Sequence, residues 1–255
     1  MSRIMAHLIA HYPDRERSLA VARGLVAGGA DYLEIQFPFS DPTADGPVIQ
    51  EACQQALDTG FTVDDGFSFI REVQDQATDE RGQEVPIFLM TYASLIYSRG
   101  VAQFIADGVA AGCTGFILPD IPLDYDEGVF DAAADAGVSI MPVTVTSARD
   151  RRVELLQQRS PQYIYVALRR GITGTKTEIG EENLAFIDRL RPAGARIMAG
   201  FGISEHEQVA ALSSHVHAAV VGSAFVRTVT AHASDDPAAI EAALAAKCRS
   251  LRDGD

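Results

Sequence analysis

Ala27-Gly28-Gly29-Ala30-Asp31-Tyr32-Leu33-Glu34-Ile35-Gln36-Phe37 is the stretch on which the fold turns. A helix-like segment closes on glycine, which suits a left-handed cap, and an apolar strand-forming run follows at once. The same order recurs with Ala111-Gly112 ahead of Gly115 to Leu118, Ala136-Gly137 ahead of Val138 to Val143, and Gly194 ahead of Arg196 to Ala199. Outward from these, strands are predicted at 3–10, 31–37, 86–91, 114–119, 138–143, 162–167, 195–200 and 217–222, with amphipathic helical patterns between them. Eight strands alternating with helices in 255 residues is the arithmetic of an α/β fold, a (β/α)8 TIM barrel. A doubly wound sheet is the alternative, because periodicity does not show closure. No linker or low-complexity tract divides the chain, so residues 1–255 read as a single domain.

The one long interval follows the second strand, where Pro38 to Gly60 carries a Pro- and Asp-rich loop before a helical run from Asp64 to Gln76. Extra loop at a strand's carboxyl end is usually functional in barrels. The last helix is signalled by Ser234-Asp235-Asp236-Pro237 and by a packing stripe of Ile240, Leu244, Cys248 and Leu251. No apolar run approaches the roughly 18 to 20 residues of a membrane span, and Ile4 to Ala10 is too short for a signal-peptide core. A cytoplasmic protein with no membrane role is expected. Cys53, Cys113 and Cys248 lack paired spacing, so they read as buried thiols rather than as disulfides or a zinc site. Twenty-one Lys and Arg against 35 Asp and Glu give a net charge of −14, which disfavours a nucleic-acid surface. An anionic substrate must therefore be captured locally.

Alternation along the second strand directs Leu33, Ile35 and Phe37 to the helices and Tyr32, Glu34 and Gln36 to the barrel interior. A buried Glu is rare, and desolvation favours a raised pKa suited to proton transfer, although a structural carboxylate is the competing reading. Asp45 follows in Pro38-Phe39-Ser40-Asp41-Pro42-Thr43-Ala44-Asp45-Gly46-Pro47, a loop that could bring a second carboxylate over the same cavity. Turn formation and capping are the ordinary roles of Asp41 and Asp45. A calcium loop is excluded, since Thr43 holds its third position and Glu51 falls one residue early. Three Gly-rich segments, Gly171-Ile172-Thr173-Gly174, Gly200-Phe201-Gly202-Ile203-Ser204 and Gly222-Ser223-Ala224, follow strands six to eight. There, backbone N–H groups and helix starts can hold a phosphate without a basic patch. Neither a dinucleotide fingerprint, which Glu205 breaks, nor a Walker loop, which Arg169 breaks, is present.

Taken together these residues resemble the α subunit family of tryptophan synthase, the indole-3-glycerol-phosphate lyase, over nearly the whole chain. The resemblance is carried by Leu33-Glu34, Pro38-Phe39-Ser40-Asp41-Pro42, Ala44-Asp45-Gly46-Pro47, Met90-Thr91-Tyr92, Pro119-Asp120-Ile121-Pro122 and the three Gly-rich segments. It implies that Glu34 and Asp45 are catalytic carboxylates and Tyr165 an active-site tyrosine. It further implies Thr173 on a mobile closing loop, and substrate or phosphate contacts from Gly174, Phe201, Gly202, Gly222 and Ser223. The implied reaction is retro-aldol cleavage to indole and glyceraldehyde 3-phosphate, without metal or cofactor. Pyridoxal phosphate is expected only in a partner β subunit of an α2β2-type complex. A free-standing lyase and a degenerate, regulatory ligand-binding subunit are the alternatives. Retention of both carboxylates argues against degeneracy.

Two further expectations follow. The polar, Gly-rich segment from Arg169 to Asn183 should close over substrate. His7 and Gln36, where the family usually has an aromatic and a glycine, should both lie beside Glu34. His11, within Ile9-Ala10-His11-Tyr12-Pro13, and Ser94 are further departures that bear on the indole pocket and on the fit to a β subunit.

Overall fold

The strands are buried almost throughout and mostly apolar, the composition that a parallel sheet covered by helices requires. In the computed structural model, which describes residues 2–78, 82, 84–168 and 179–254, the strands pair in parallel throughout. In chain order the elements are β1 (Ile4–Ile9), α1 (Arg15–Ala27), β2 (Tyr32–Gln36), α2 (Pro47–Asp58), α3 (Val63–Gln76), β3 (Ile87–Met90), α4 (Ala93–Arg99), α5 (Val101–Ala110) and β4 (Cys113–Leu118). There follow α6 (Val129–Asp135), β5 (Ser139–Val145), α7 (Asp150–Arg159), β6 (Tyr163–Ala167), α8 (Glu181–Leu190), β7 (Arg196–Gly200), α9 (His206–Leu212), β8 (Ala218–Val221), α10 (Ser223–Ala231) and α11 (Pro237–Asp253). Neighbours in sequence are neighbours in the sheet, and β8 pairs back onto β1 with Ala219 opposite Ile4. That last pairing closes the (β/α)8 barrel and sets the open-sheet alternative aside.

Each predicted strand overlaps the observed one. The glycine stops behave as read, with Gly29, Gly112, Gly137 and Gly194 at φ of 89°, 96°, 74° and 70°. One boundary is corrected: Pro38 to Gly60 is not all loop, because Pro47–Asp58 forms α2. Its helical signal is Pro47 in the first turn and the buried set Ile49, Ala52, Cys53 and Ala56 at three-to-four spacing, which the Pro- and Asp-rich lead obscures.

The expected stripe of α11 is fully buried, and it packs against α1. Close approach of the two backbones depends on Gly24 in α1 and, one turn on, Gly28 at its C-terminal cap. A Cβ at these positions would lie 2.5 Å from the Glu241 carbonyl oxygen and 2.5 Å from Cys248 Cβ. Cys53, Cys113 and Cys248 are free and buried, as expected. No helix among the described residues is long and apolar enough to cross a membrane.

Two apolar layers result from the strand alternation. Leu33, Ile35 and Phe37 join the shell between sheet and helices, whereas Tyr32 turns inward among Met5, Phe88, Tyr163 and Met198. Near the amino ends of the strands this interior is sealed. The Phe88 and Tyr163 rings meet edge to face at 5.0 Å, Tyr32 shares a 2.8 Å hydrogen bond with His217, and Arg196 donates to the Tyr163 hydroxyl at 2.9 Å. The barrel is thus plugged below and open above.

Candidate active site

Two residues further up the same strands the character of the interior changes. The β1–β2 register sets His7 opposite Glu34, and alternation turns both side chains inward. Only 3 % of His7 and 4 % of Glu34 is exposed. His7 Nδ1 lies 3.3 Å from Glu34 Oε1, while His7 Nε2 and Glu34 Oε2 are buried without a hydrogen-bond partner among the described residues. Orphaned buried polar atoms each carry a penalty of about 1–3 kcal/mol, and both residues line one cavity at the carboxyl end of the barrel. That is the end at which barrel enzymes bind their substrates.

Asp45 reaches this cavity from the β2–α2 loop. Its N–H donates to the Pro42 carbonyl at 3.0 Å, and Gln50 Nε2 donates to its own carbonyl at 2.8 Å, so α2 and the turn together fix its backbone. Its carboxylate accepts from the Tyr92 hydroxyl at 2.8 Å and from Gln36 Nε2 at 2.7 Å, both on Oδ2. Burial pushes the Asp45 carboxyl above the ordinary aspartate value. The Tyr92 hydrogen bond, the nearby His7 and the Gln36 hydrogen bond pull it back. Tyr92 is itself fixed by stacking on Phe39, with ring centroids 5.1 Å apart.

Here the structure divides one expectation. His7 does sit beside Glu34, but Gln36 donates to Asp45 and, at 3.5 Å, to Cys53 Sγ instead. The strand periodicity places Gln36 inside; the folding of the next loop over the strand end decides which carboxylate its amide meets.

The facing wall combines one aromatic hydroxyl with backbone. Tyr165, inward on β6, has its hydroxyl pushed well above the usual phenol range by burial and, secondarily, by the Glu34 and Asp45 charges. Phe201 and Gly202 follow β7 with φ of 97° and 80°; a left-handed phenylalanine is a strained conformation of the kind found at ligand sites. Gly222 and the buried Ser223 form the start of α10, whose first N–H groups have no partner within the helix. The start of α9 differs, because the Ser204 and Glu205 N–H groups donate to Gln208 Oε1 at 2.8 and 3.0 Å. Of these two helix starts, the anion-receptive one is α10. Ala44, Ile49, Met90, Ile117 and Val143 complete the lining as apolar surface suited to a flat ring.

Glu34, Asp45, Tyr165, Phe201, Gly202, Gly222 and Ser223 are therefore brought to one cavity. Thr173 and Gly174, with the closure expected of the Arg169 to Asn183 segment, involve residues 169–178, which lie outside the described residues. Sequence reasoning does not single out Tyr92 or Gln36 as ligands of Asp45. Their only signal is an inward position at or just beyond the carboxyl end of a strand.

The family model described as "Tryptophan synthase alpha chain" matches residues 2–254. The chain belongs to the tryptophan synthase alpha chain family. A relative of that name from Helicobacter hepaticus is 38 % identical over 228 residues, covering 89 % of this chain and 85 % of its own length. Another from Solibacter usitatus is 35 % identical and covers 98 % and 91 %. Among solved structures, the tryptophan synthase α2β2 complex of Pyrococcus furiosus contains a similar chain at a TM-score of 0.85 and 29 % identity, covering 98 % of this chain and 97 % of that one. Mycobacterium tuberculosis tryptophan synthase gives 0.84 at 26 % identity, covering 97 % and 93 %.

Proposed function

We propose that this chain cleaves indole-3-glycerol phosphate to indole and glyceraldehyde 3-phosphate in the cytoplasm, as the α subunit of an α2β2-type tryptophan synthase. The reading rests on one observation: two buried carboxylates, Glu34 and Asp45, and the start of α10 converge on a single cavity whose remaining lining is mostly apolar. Glu34 Oε2 supplies the acid that protonates indole C3, turning the ring into an electron sink; the carbinol hydroxyl then loses its proton as the carbon–carbon bond breaks. Asp45 accepts from the indole N–H and stabilises the positive charge that grows there. Its two internal donors both engage Oδ2, so Oδ1 is the oxygen they leave for the ring.

Gly202, Gly222 and Ser223 receive the phosphate at the α10 start, with Gly174 and Thr173 closing from the β6–α8 segment. Tyr165 and Phe201 flank the substrate. Side chains supply the acid, the base and the charge stabilisation, so the reaction needs no cofactor on this subunit; pyridoxal phosphate belongs to the β subunit that takes up the indole. The test is indole release from indole-3-glycerol phosphate by the purified chain, with and without a β subunit. Release that rises on addition of the β subunit supports the reading; no release in either mixture refutes it.

A further inference from the structure

The mouth of the barrel holds more proton-handling equipment than one carboxylate. His7 and Glu34 touch through Nδ1 and Oε1 at 3.3 Å, which leaves each with a second polar atom, Nε2 and Oε2, buried and without a partner among the described residues, and both residues line the same cavity. A histidine serving only to hold Glu34 in place needs one nitrogen, and its other nitrogen is then normally satisfied by backbone or another side chain. Here the other nitrogen is buried and has no partner among the described residues, on a side chain that lines the cavity. We propose that His7 is a second catalytic residue, the base that takes the carbinol proton while Glu34 acts as the acid; the proposal rests on the lyase reading above.

The step balances within the pair. Glu34 Oε2 gives its proton to indole C3. The bond between C3 and the carbinol carbon then breaks, and its electron pair returns to the ring and restores the aromatic indole. The hydroxyl proton passes to His7 Nε2 as the oxygen becomes the aldehyde carbonyl. The resulting imidazolium and carboxylate exchange the Nδ1 proton for a neutral pair across the 3.3 Å contact, and solvent resets the tautomers at product release. One proton moves from hydroxyl to C3, with none gained or lost overall.

Among the described residues, the charged and titratable groups that share the cavity with His7 are Glu34 on β2, Asp45 on the β2–α2 loop and Tyr165 on β6. Tyr32 lies one layer below, and β8 and α10 contribute only Val220, Gly222 and Ser223.

The experiment compares kcat and KM for indole release across pH in the full-length parent, His7→Phe and His7→Asn. Both variants should lose about 100-fold in kcat and keep KM within about 3-fold. The Asn variant retains a hydrogen-bond donor without an ionisation and is the smaller replacement, so it carries the test if the Phe variant does not fold. If His7→Asn keeps the parent's kcat, His7 is a hydrogen-bonding support and the proposal is overturned. The same holds if KM alone changes in both. A parent that releases no indole overturns the lyase reading instead, before the variants are compared.

Discussion

The lower and upper halves of the barrel interior are built from the same strands two residues apart, yet they obey opposite rules. In the lower half Tyr32, Phe88 and Tyr163 pack ring against ring, and both tyrosine hydroxyls have hydrogen-bond partners, His217 and Arg196. In the upper half His7 and Glu34 each retain a buried atom without a partner among the described residues, and Asp45 is held away from its ordinary ionisation by burial. One two-residue step along β2, from Tyr32 to Glu34, crosses from the plug to the site. Satisfied groups below supply rigidity; unsatisfied groups above are left for a ligand to satisfy.

The sharpest way to break this contrast is Glu34→Gln. It removes the acid while keeping shape, and kcat/KM should fall by about 10⁴-fold. Urea unfolding should show stability unchanged or slightly raised, since a buried ionisable group is replaced by a neutral one. A variant that loses stability instead of turnover would assign Glu34 to the plug's rules.

Phe88→Ala probes the other half and should do the reverse. Truncating a fully buried ring is expected to destabilise by about 3–5 kcal/mol, read as a lower urea midpoint, with turnover per folded molecule nearly retained.

Asp45→Asn should reduce kcat/KM by about 10²- to 10³-fold, because the indole N–H then meets a neutral acceptor. Its stability carries a pH signature. The native carboxyl is held above its ordinary 3.8, so the stabilisation from its protonated form is complete below 3.8 and is lost as pH rises through the native value. The Asn variant escapes that loss, and its stability advantage over the parent should be largest near neutrality and shrink on acidification. A difference independent of pH would show that burial does not shift this carboxyl.

The smallest effect belongs to Tyr92→Phe. Deleting one of two donors to the ionised Oδ2 raises the Asp45 pKa further, so turnover at pH 7 should drop about 10-fold and the acid limb should move to higher pH. An unmoved limb would mean that Gln36 alone holds the carboxylate.

The sequence by itself determined the barrel's strands, the direction of their alternate side chains and the packing stripe of α11, because each depends on a period of 2 or 3.6 that neighbouring residues carry among themselves. It also placed Glu34 inside, and the ordered motifs identified the family. It did not determine closure, which exists only in the contact of β8 with β1, nor α2, whose pattern begins under a loop rich in proline and aspartate. Least of all did it determine who meets whom at the mouth. Gln36 and Glu34 are two residues apart on one strand and face one interior, yet one amide goes to Asp45 while the other side chain meets His7. That partition depends on where the β2–α2 loop returns over the strand ends and on the β1–β2 register. Those are distances between segments far apart in the chain, set by the packing of the whole barrel rather than by any local run of residues.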